Sequence, residues 1–464
     1  MSESPKVTVR AMPDAGTWAT LARARFASLT DSQRQERALL GLPTDRPVIM
    51  TGHQSGFWHP GILSKYIAAD RLAEAINGVA AAIVVDHDVV DPLRINAVGQ
   101  TQSGQIESVV VSLRARSGGA MLSRLEAPIS RAELGRWTGA DRLLQSDGEA
   151  VEQIIASLLK HTDAESLGEQ AARANAELLA PWMRVQQFTA QQLIRSAPWK
   201  AFFERALENP AACVRAYNSA VTKHSEAGIP TLFAIAREHR WELPFWLLDR
   251  STGRRPLYEE MVHHPSFDPD LLATKALSLT ASVRRSLCDL FIHGSGGAIY
   301  DRATDDWIRG WLGEELAPSV AITADVYRVL PVEARRDADP AELDHAMWLA
   351  HSARHNPELL GDERGEHEKR QFLKHIRDAP TATPQRTDLY RSMHRMLSTV
   401  RETHQPELAR LDRQAVAIRQ GLIVGQLEAR RDWASVLYPA SQLDRLSNAV
   451  EAAFDSQRPK PVSP

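Results

Sequence analysis

The sequence predicts an α/β fold: a parallel-sheet core, discontinuous in the chain, with helical and β-hairpin insertions and a C-terminal helical, coiled-coil-like region. Two observations predict it. Short continuous apolar runs, Val48 to Met50 and Ala80 to Val85, flank a stretch of helical spacing, as expected of strands covered on both faces and joined by a crossover helix. A further strand candidate, Val320 to Thr323, lies far downstream, so the core is expected to draw on roughly residues 40–127 and 270–335.

The elements follow in order. Residues 14–41 read as helical, with Trp18, Leu21, Phe26 and Leu29 among charged neighbours, and Gly41-Leu42-Pro43 closes them. Between the two apolar runs, Ile62, Leu63, Tyr66, Ile67, Ala69, Ala73 and Ile76 recur at helical spacing, while Lys65, Asp70, Arg71 and Glu74 take the other side. Pro60 suits the first helical turn, and Asn77-Gly78 supplies the stop. Ile106 to Leu113 is a strand candidate that Ser117-Gly118-Gly119 turns out of. Residues 128–235 are mostly helical in pattern. Glu242 to Glu260 reads as strand, Ser-Thr-Gly turn and strand, a hairpin inserted between helices. Apolar periodicity returns over residues 271–313.

The rest is helical. Leu389, Met393, Met396 and Val400 form one set at spacings of 3 and 4, and Leu408, Leu411, Ala415, Ile418 and Leu422 another. Pro406 between them predicts a kink or hairpin. Two short runs fit packing within the chain as well as a homodimer through these helices. The last ten residues, with three prolines, read as a loose tail. The expected division is 1–127 and 271–335 for two parts of the core, 128–270 for the insertion and 336–464 for the helical region.

Composition narrows the function. With 43% hydrophobic and 24% charged residues the chain can bury a core, and 55 basic against 58 acidic residues, a formal charge of −3, give no global attraction for nucleic acid or an anionic membrane. Cys213 and Cys288 stand far apart without CxxC spacing, which suggests neither a disulfide framework nor a thiolate zinc site. MSESPKVTVR lacks the apolar segment of a signal peptide, and no run approaches the roughly 18 apolar residues of a membrane span. A cytoplasmic protein acting on a small molecule is expected.

Two parallel strands joined by a crossover helix end at the same edge of the sheet, where open α/β folds bind ligands. Thr51 to His59 and Asp86 to Asp88 should therefore face one cleft. The helix starting near Pro60 would aim free N–H groups and its positive dipole end into it, which suits an anion. His53 and Gln54 sit beside Gly52 and Gly56, where backbone can approach a ligand; the bland alternative is capping of the helix. His59 is a poor cap beside Ser, Thr, Asp or Asn, so it reads as a donor to phosphate or carboxylate. Lys65, one turn into the helix, divides evenly between ligand contact and solvent. Asp86-His87-Asp88 ends a buried strand, where three polar groups are costly unless paired or bound to something. A carboxylate there would serve as general base toward an amine or hydroxyl. A divalent metal is the lesser alternative, because no HExxH or comparable spacing is present.

TGHQ and HPG within 51–61, VVDHD at 84–88 and HGSGGAIYDRATD at 293–305 resemble a bacterial family carrying these three signatures in this order, with AYN at 216–218 and ELPFW at 242–246 also similar. More distantly, the order of motifs is similar to the cysteine-adding enzyme of bacillithiol biosynthesis. That family has a TG-Gln-Gln loop, a helix with a lysine, a strand ending in Asp-His-Asp, a later Gly-Gly motif and a C-terminal coiled coil. Thr51-Gly52, Gln54, Lys65, Asp86-His87-Asp88 and Gly296-Gly297 correspond. His53 stands where that family has its first Gln, His59 is added, and Tyr300-Asp301 lies where the later motif has a Glu. The chain is also shorter than that family's pattern. His59-Pro60-Gly61 echoes the His-x-Gly element of class I nucleotidyltransferases, with Ile62 where their second histidine stands.

The resemblance implies a Rossmann-like core and amide-bond formation by a ligase or transferase acting on an anionic or amino-acid-like substrate. The expected catalytic residues are Asp86, His87, Asp88 and His53. Contacts to substrate or nucleotide are expected from Thr51, Gly52, Gln54, His59, Gly61, Lys65, Gly296, Gly297, Tyr300 and Asp301, with no metal ligand assigned. Thr304-Asp305 would otherwise be a cap for the following helix, and Arg254-Arg255 and His263-His264 ordinary surface residues of the hairpin. An amide made from a free carboxylate requires activation, by ATP, another nucleotide or a pre-activated donor. The alternative is a non-catalytic nucleotide-binding or scaffold protein using the same cleft and the terminal helices.

Overall fold

The computed structural model describes residues 7–114, 122–134, 140–235, 240–334 and 337–455. The turn expected at Ser117 to Gly119 and the proline-bearing tail beyond Asp455 lie outside them. The chain forms two compact units, one of Met1–Gly99, Ser108–Arg328 and Arg431–Pro464, the other of Gln100–Glu107 and Val329–Arg430.

The strands are β1 (Val7–Met12), β2 (Val48–Gln54), β3 (Val79–Val85), β4 (Arg94–Gln100), β5 (Ile106–Ser112), β6 (Gln186–Thr189), β7 (Ala234–Ile235), β8 (Arg240–Asp249), β9 (Gly253–Tyr258), β10 (Leu272–Thr274), β11 (Leu290–His293) and β12 (Ser319–Val326). The first unit is built on a six-stranded sheet in the order β1-β12-β11-β2-β3-β6. β12, β11, β2, β3 and β6 are parallel, and β1 joins the edge antiparallel, Val7 opposite Val326. Numbered by their place in the chain, β2, β3, β6, β11 and β12 are first to fifth, so the sheet runs 3-2-1-4-5 and its order reverses between β2 and β11.

The apolar runs make the strands that their composition dictates. Val48, Met50, Ala81 and Ile83 face a cluster with Phe188, Trp199, Phe202, Leu277, Phe291 and Trp307. The Pro60–Ala75 helix buries Leu63, Tyr66, Ile67 and Leu72 and packs on β12, β2 and β3. Its stop is as expected: Asn77 takes φ +55°, and the Gly78 N–H donates to the Ala73 carbonyl at 2.8 Å. The predicted hairpin is β8 and β9, Asp249 opposite Gly253 across the turn, and β8 also pairs β10 and β7.

Four expectations are corrected. β2 runs on to Gln54, so Gly52, His53 and Gln54 end a strand rather than occupy a loop. Lys65 is buried, while the other charged residues of that side stay in contact with solvent, Asp70 and Arg71 half-buried and Glu74 exposed. The helix expected to start at Thr304-Asp305 already begins at Gly297 and runs to Leu312, so those residues lie inside it. The terminal helices divide as well. Residues 340–352, 363–378, 384–403 and 405–429 are helices of the second unit, broken at His404 beside Pro406, with Leu408 and Leu411 packed on Ala350 and Ala353. The Ala440–Asp455 helix instead packs on the Pro60–Ala75 helix and β1. Among the described residues no helix is long and apolar enough to cross a membrane.

Candidate functional site

The carboxyl ends of β2, β3 and β11 meet at one edge of the sheet, where Gly52 lies opposite Ile83, and Ile292, just before His293, lies opposite Thr51. Two adjoining cavities open there. The first, about 630 Å³, is walled by His53, His59, Lys65, His293, the Gly294–Gly297 turn and Arg431. The second, about 230 Å³, takes in Gln54, His87, Asp88, Trp246, Arg254 and Lys275. Gly52, His53, Gln54, His293 and Gly297 belong to both. A cavity of about 740 Å³ at the opposite edge, beside the starts of β3 and β6, carries none of the predicted site residues.

Close backbone packing shapes this edge. A Cβ on Gly52 would lie 2.4 Å from Ile83 Cγ2 and 2.8 Å from the Ile83 carbonyl, and one on Gly297 would lie 2.3 Å from His293 Nδ1. Only glycine allows either approach.

His59 turns out to be the helix cap after all. Its Nδ1 accepts the Gly61 N–H at 3.1 Å and its carbonyl those of Ile62 at 2.9 Å and Leu63 at 3.1 Å, so His59 engages the first-turn N–H groups of the Pro60–Ala75 helix. Burial, with Arg431 and Lys65 nearby, pushes the His59 ring down to about 4. Burial acts more strongly on His53, with Lys65 and His59 adding to it, and brings that ring down to about 2. Both rings are neutral at pH 7. Trp58 holds this wall: it stacks on Tyr66 at 4.1 Å and its Nε1–H donates to the Gln54 carbonyl at 2.9 Å.

Lys65 Nζ donates to the Gly52 carbonyl at 2.8 Å, and burial lowers its ammonium from 10.5 to about 7. It stands apart from the other buried charges. Arg37 pairs with Asp289, Arg124 with Asp86, Arg328 with Asp147, Arg284 with Asp301, Lys275 with Glu242 and Glu169 with Arg173. Lys65 has no carboxylate within ion-pair distance among the described residues.

In the second cavity Asp88 is held by Arg254 Nη1 at 2.9 Å and accepts from Gln54 Nε2 at 3.1 Å. Arg254 and Lys275 stand 5.6 and 4.3 Å from the Trp246 ring centre. Arg254, expected at the surface of the hairpin, is thus a wall of the site. The expectation that the Gly-His-Gln segment and the triplet share one hollow holds for His87 and Asp88.

Asp86 lines neither cavity, and the base role expected of it is corrected. It is fully buried and accepts from Arg124 Nε at 2.9 Å and Nη2 at 2.8 Å. Burial would raise its pKa, but the Arg124 guanidinium outweighs that and holds the carboxyl below its ordinary range. His87 lies between Arg124 Nη2, 3.1 Å from Nδ1, and the Thr274 carbonyl, 3.0 Å from Nε2. A guanidinium only donates, so Nδ1 accepts and Nε2–H donates, which makes the ring neutral. Burial lowers its pKa further. Asp86, Arg124 and His87 are therefore a strut under the site.

Thr51 and Asp301 are also corrected. The Thr51 hydroxyl donates to the Ile292 carbonyl at 2.8 Å and ties β2 to β11. Asp301 is buried against Arg284 at 3.1 Å, His293 Nε2 at 3.1 Å and the Ser319 hydroxyl. Tyr300 lines the second cavity, and Gly61, Gly296 and Gly297 the first. The residues missed are Arg254, Trp246, Lys275, His293 and Arg431, all brought in from remote segments; only His293, beside the Gly-rich turn, carried a local signal.

Among the described residues no three His, Cys, Asp or Glu side chains converge as a metal centre. No protein-family model matches the chain, and no curated protein matches it significantly.

Proposed function

We propose that this protein is an enzyme of the ligase or transferase type, whose Rossmann-like core binds an anionic, phosphate-bearing small molecule or nucleotide in the first cavity and presents it to a second small molecule in the adjoining one. Lys65 carries the reading. A buried ammonium without a carboxylate is costly, and an anion beside the start of the Pro60–Ala75 helix would supply its missing counter-charge. The 3-2-1-4-5 strand order supports the site's position, since ligands of such sheets bind where the order reverses, here between β2 and β11.

The two cavities share Gly52, His53, Gln54, His293 and Gly297 in their linings, so their ligands would lie side by side, the proximity a joining or group-transfer reaction requires. Lys65 and the positive dipole end of the helix would hold the anion, and Arg254 and Gln54 would orient the second molecule. Amide-bond formation is the step we favour, from the resemblance to the cysteine-adding enzymes. A nucleotide, where bound, would supply activation of the acid. The two free, buried cysteines suit the reducing cytoplasm we assign to the protein.

One observation favours a second reading, a binding protein without chemistry: Asp86 and His87, expected to act on protons, are engaged by Arg124 and the Thr274 carbonyl. A thermal-shift panel of pyrophosphate, AMP, ADP and ATP tests the site, because a ligand at roughly 100 times its Kd stabilises by about 2.7 kcal/mol. Phosphate-bearing ligands should shift the wild type and not Lys65→Met. Equal shifts in both, or none in either, would sink both readings. Phosphate or pyrophosphate release in the presence of amines and carboxylic acids then separates the enzyme from the binding protein.

A further inference from the structure

Hydrogen-bonding capacity at the rim of the second cavity is unbalanced. Both Asp88 oxygens are engaged: Oδ1 accepts the Val89 N–H at 2.9 Å and faces Arg254 Nη1 at 2.9 Å, and Oδ2 accepts from Gln54 Nε2 at 3.1 Å. Arg254 has five N–H donors and meets Asp88 through one nitrogen; Lys275 has three and meets Glu242. Several donors of Arg254 and Lys275 are left over against one remaining lone pair, on Asp88 Oδ2. The other walls include Ile83, Val85, Leu279, Val283 and Phe291. At about 230 Å³ the cavity has space equal to roughly eight waters at ~30 Å³ each.

We propose that the second cavity is a subsite for a small monocarboxylate with an apolar body, its carboxylate received by Arg254 and Lys275 beside Trp246 and its body laid on Leu279, Val283 and Phe291. The proposal rests on the proposed function for its place in a reaction, and it names the chemical class of the second substrate. A guanidinium presents parallel donors that match a carboxylate. An amine of the same shape would meet two cations and only one remaining lone pair of Asp88. Acetate would leave the apolar walls in water. At about 0.8 kcal/mol for each buried methylene, lengthening the acid should tighten binding roughly fourfold per carbon until the cavity is full.

Isothermal titration of the full chain with acetate, butyrate, hexanoate and hexylamine tests this. Affinity should rise from acetate to hexanoate, hexylamine should not bind, and Arg254→Met should weaken hexanoate about tenfold or more. Leu279→Trp, which fills the cavity from its apolar wall, should abolish hexanoate binding and serves if Arg254→Met does not fold. Absence of hexanoate binding, equal binding of hexylamine, or hexanoate binding indifferent to the substitutions overturns the proposal. Pyrophosphate titrated in parallel separates the failures. If pyrophosphate binds through Lys65 and hexanoate does not bind, this subsite alone is wrong; if neither binds, the proposed function falls with it.

Discussion

Replacing Lys65 with methionine should make the ligand-free protein more stable at neutral pH. The ammonium falls from 10.5 to about 7 on burial, and each pH unit between those values is worth about 1.4 kcal/mol, so burying the charged form costs up to about 5 kcal/mol. The sign follows from proton counting. Between pH 7 and 10.5 the unfolded lysine binds a proton that the folded one has released, so stability rises with pH across that window and is flat below it. Lys65→Met removes this cost and loses the 2.8 Å bond to the Gly52 carbonyl, worth about 1 kcal/mol. The variant should therefore exceed the wild type by a few kcal/mol at pH 6, with the gap shrinking as pH climbs toward 10. Denaturant unfolding of the two proteins at pH 6, 7, 8 and 9, without ligand, measures it; other titrating groups cancel in the difference. A gap independent of pH, or a variant less stable at pH 6, would refute the account of Lys65 as an uncompensated buried charge.

Three further outcomes follow from the same edge of the sheet. Asp86→Ala leaves Arg124 buried and unpaired and should cost about 3–5 kcal/mol, whereas Asp86→Leu with Arg124→Met should cost much less than the sum of the singles; additive losses in denaturant unfolding would count against the strut. The Asp86 carboxyl, held below its ordinary range in the fold, contributes stability that is present above the ordinary carboxylate range and lost as pH falls through the depressed value. An acid-unfolding profile that loses its low-pH limb in the Asp86→Leu, Arg124→Met pair is the expected result. Gly52→Ala should cost about 1–3 kcal/mol, because its Cβ meets the Ile83 side chain and carbonyl, and a neutral effect would mean that β3 yields there.

What was legible in the sequence was local. The β2-helix-β3 unit announced itself because VIM and AAAIVV are short apolar runs and Pro60 and Asn77-Gly78 mark the helix ends. β1 and β6 did not. VTVRAM alternates half-buried and exposed residues at a sheet edge before a helical segment, and QQFT is four residues with two glutamines amid helical pattern. Lys65 was misplaced because periodicity assigns a charge to the solvent side, while here β12 and the Ala440–Asp455 helix bring further cover to its helix. Asp86 looked reactive because its partner Arg124 lies 38 positions on, beyond any local pattern. Arg254 reaches Asp88 only after β8 has paired with both β9 and β10.

The paired and unpaired buried charges therefore answer different questions, and opposite signs tell them apart. Asp289 accepts from both Arg37 and the Val48 N–H, which pins the start of β2 beside β11. Arg124 with Asp86, and Arg284 with Asp301, hold the other ends of β3 and β11. Removing one partner of such a pair leaves a naked buried charge and frees a strand end, so stability and ligand binding should fall together. Among the described residues Lys65 meets no carboxylate, only the Gly52 carbonyl and, at 5.9 Å, the Tyr66 ring. Its removal should raise stability while binding disappears, the combination expected where a fold tolerates a cost at the place it uses. Ligand titrations and unfolding of Arg37→Met, Arg284→Met and Lys65→Met, read together, distinguish the two classes. If Lys65→Met lost stability and binding in parallel, as the strut variants do, Lys65 would be one more strut, and the first cavity would have no charge waiting for an anion.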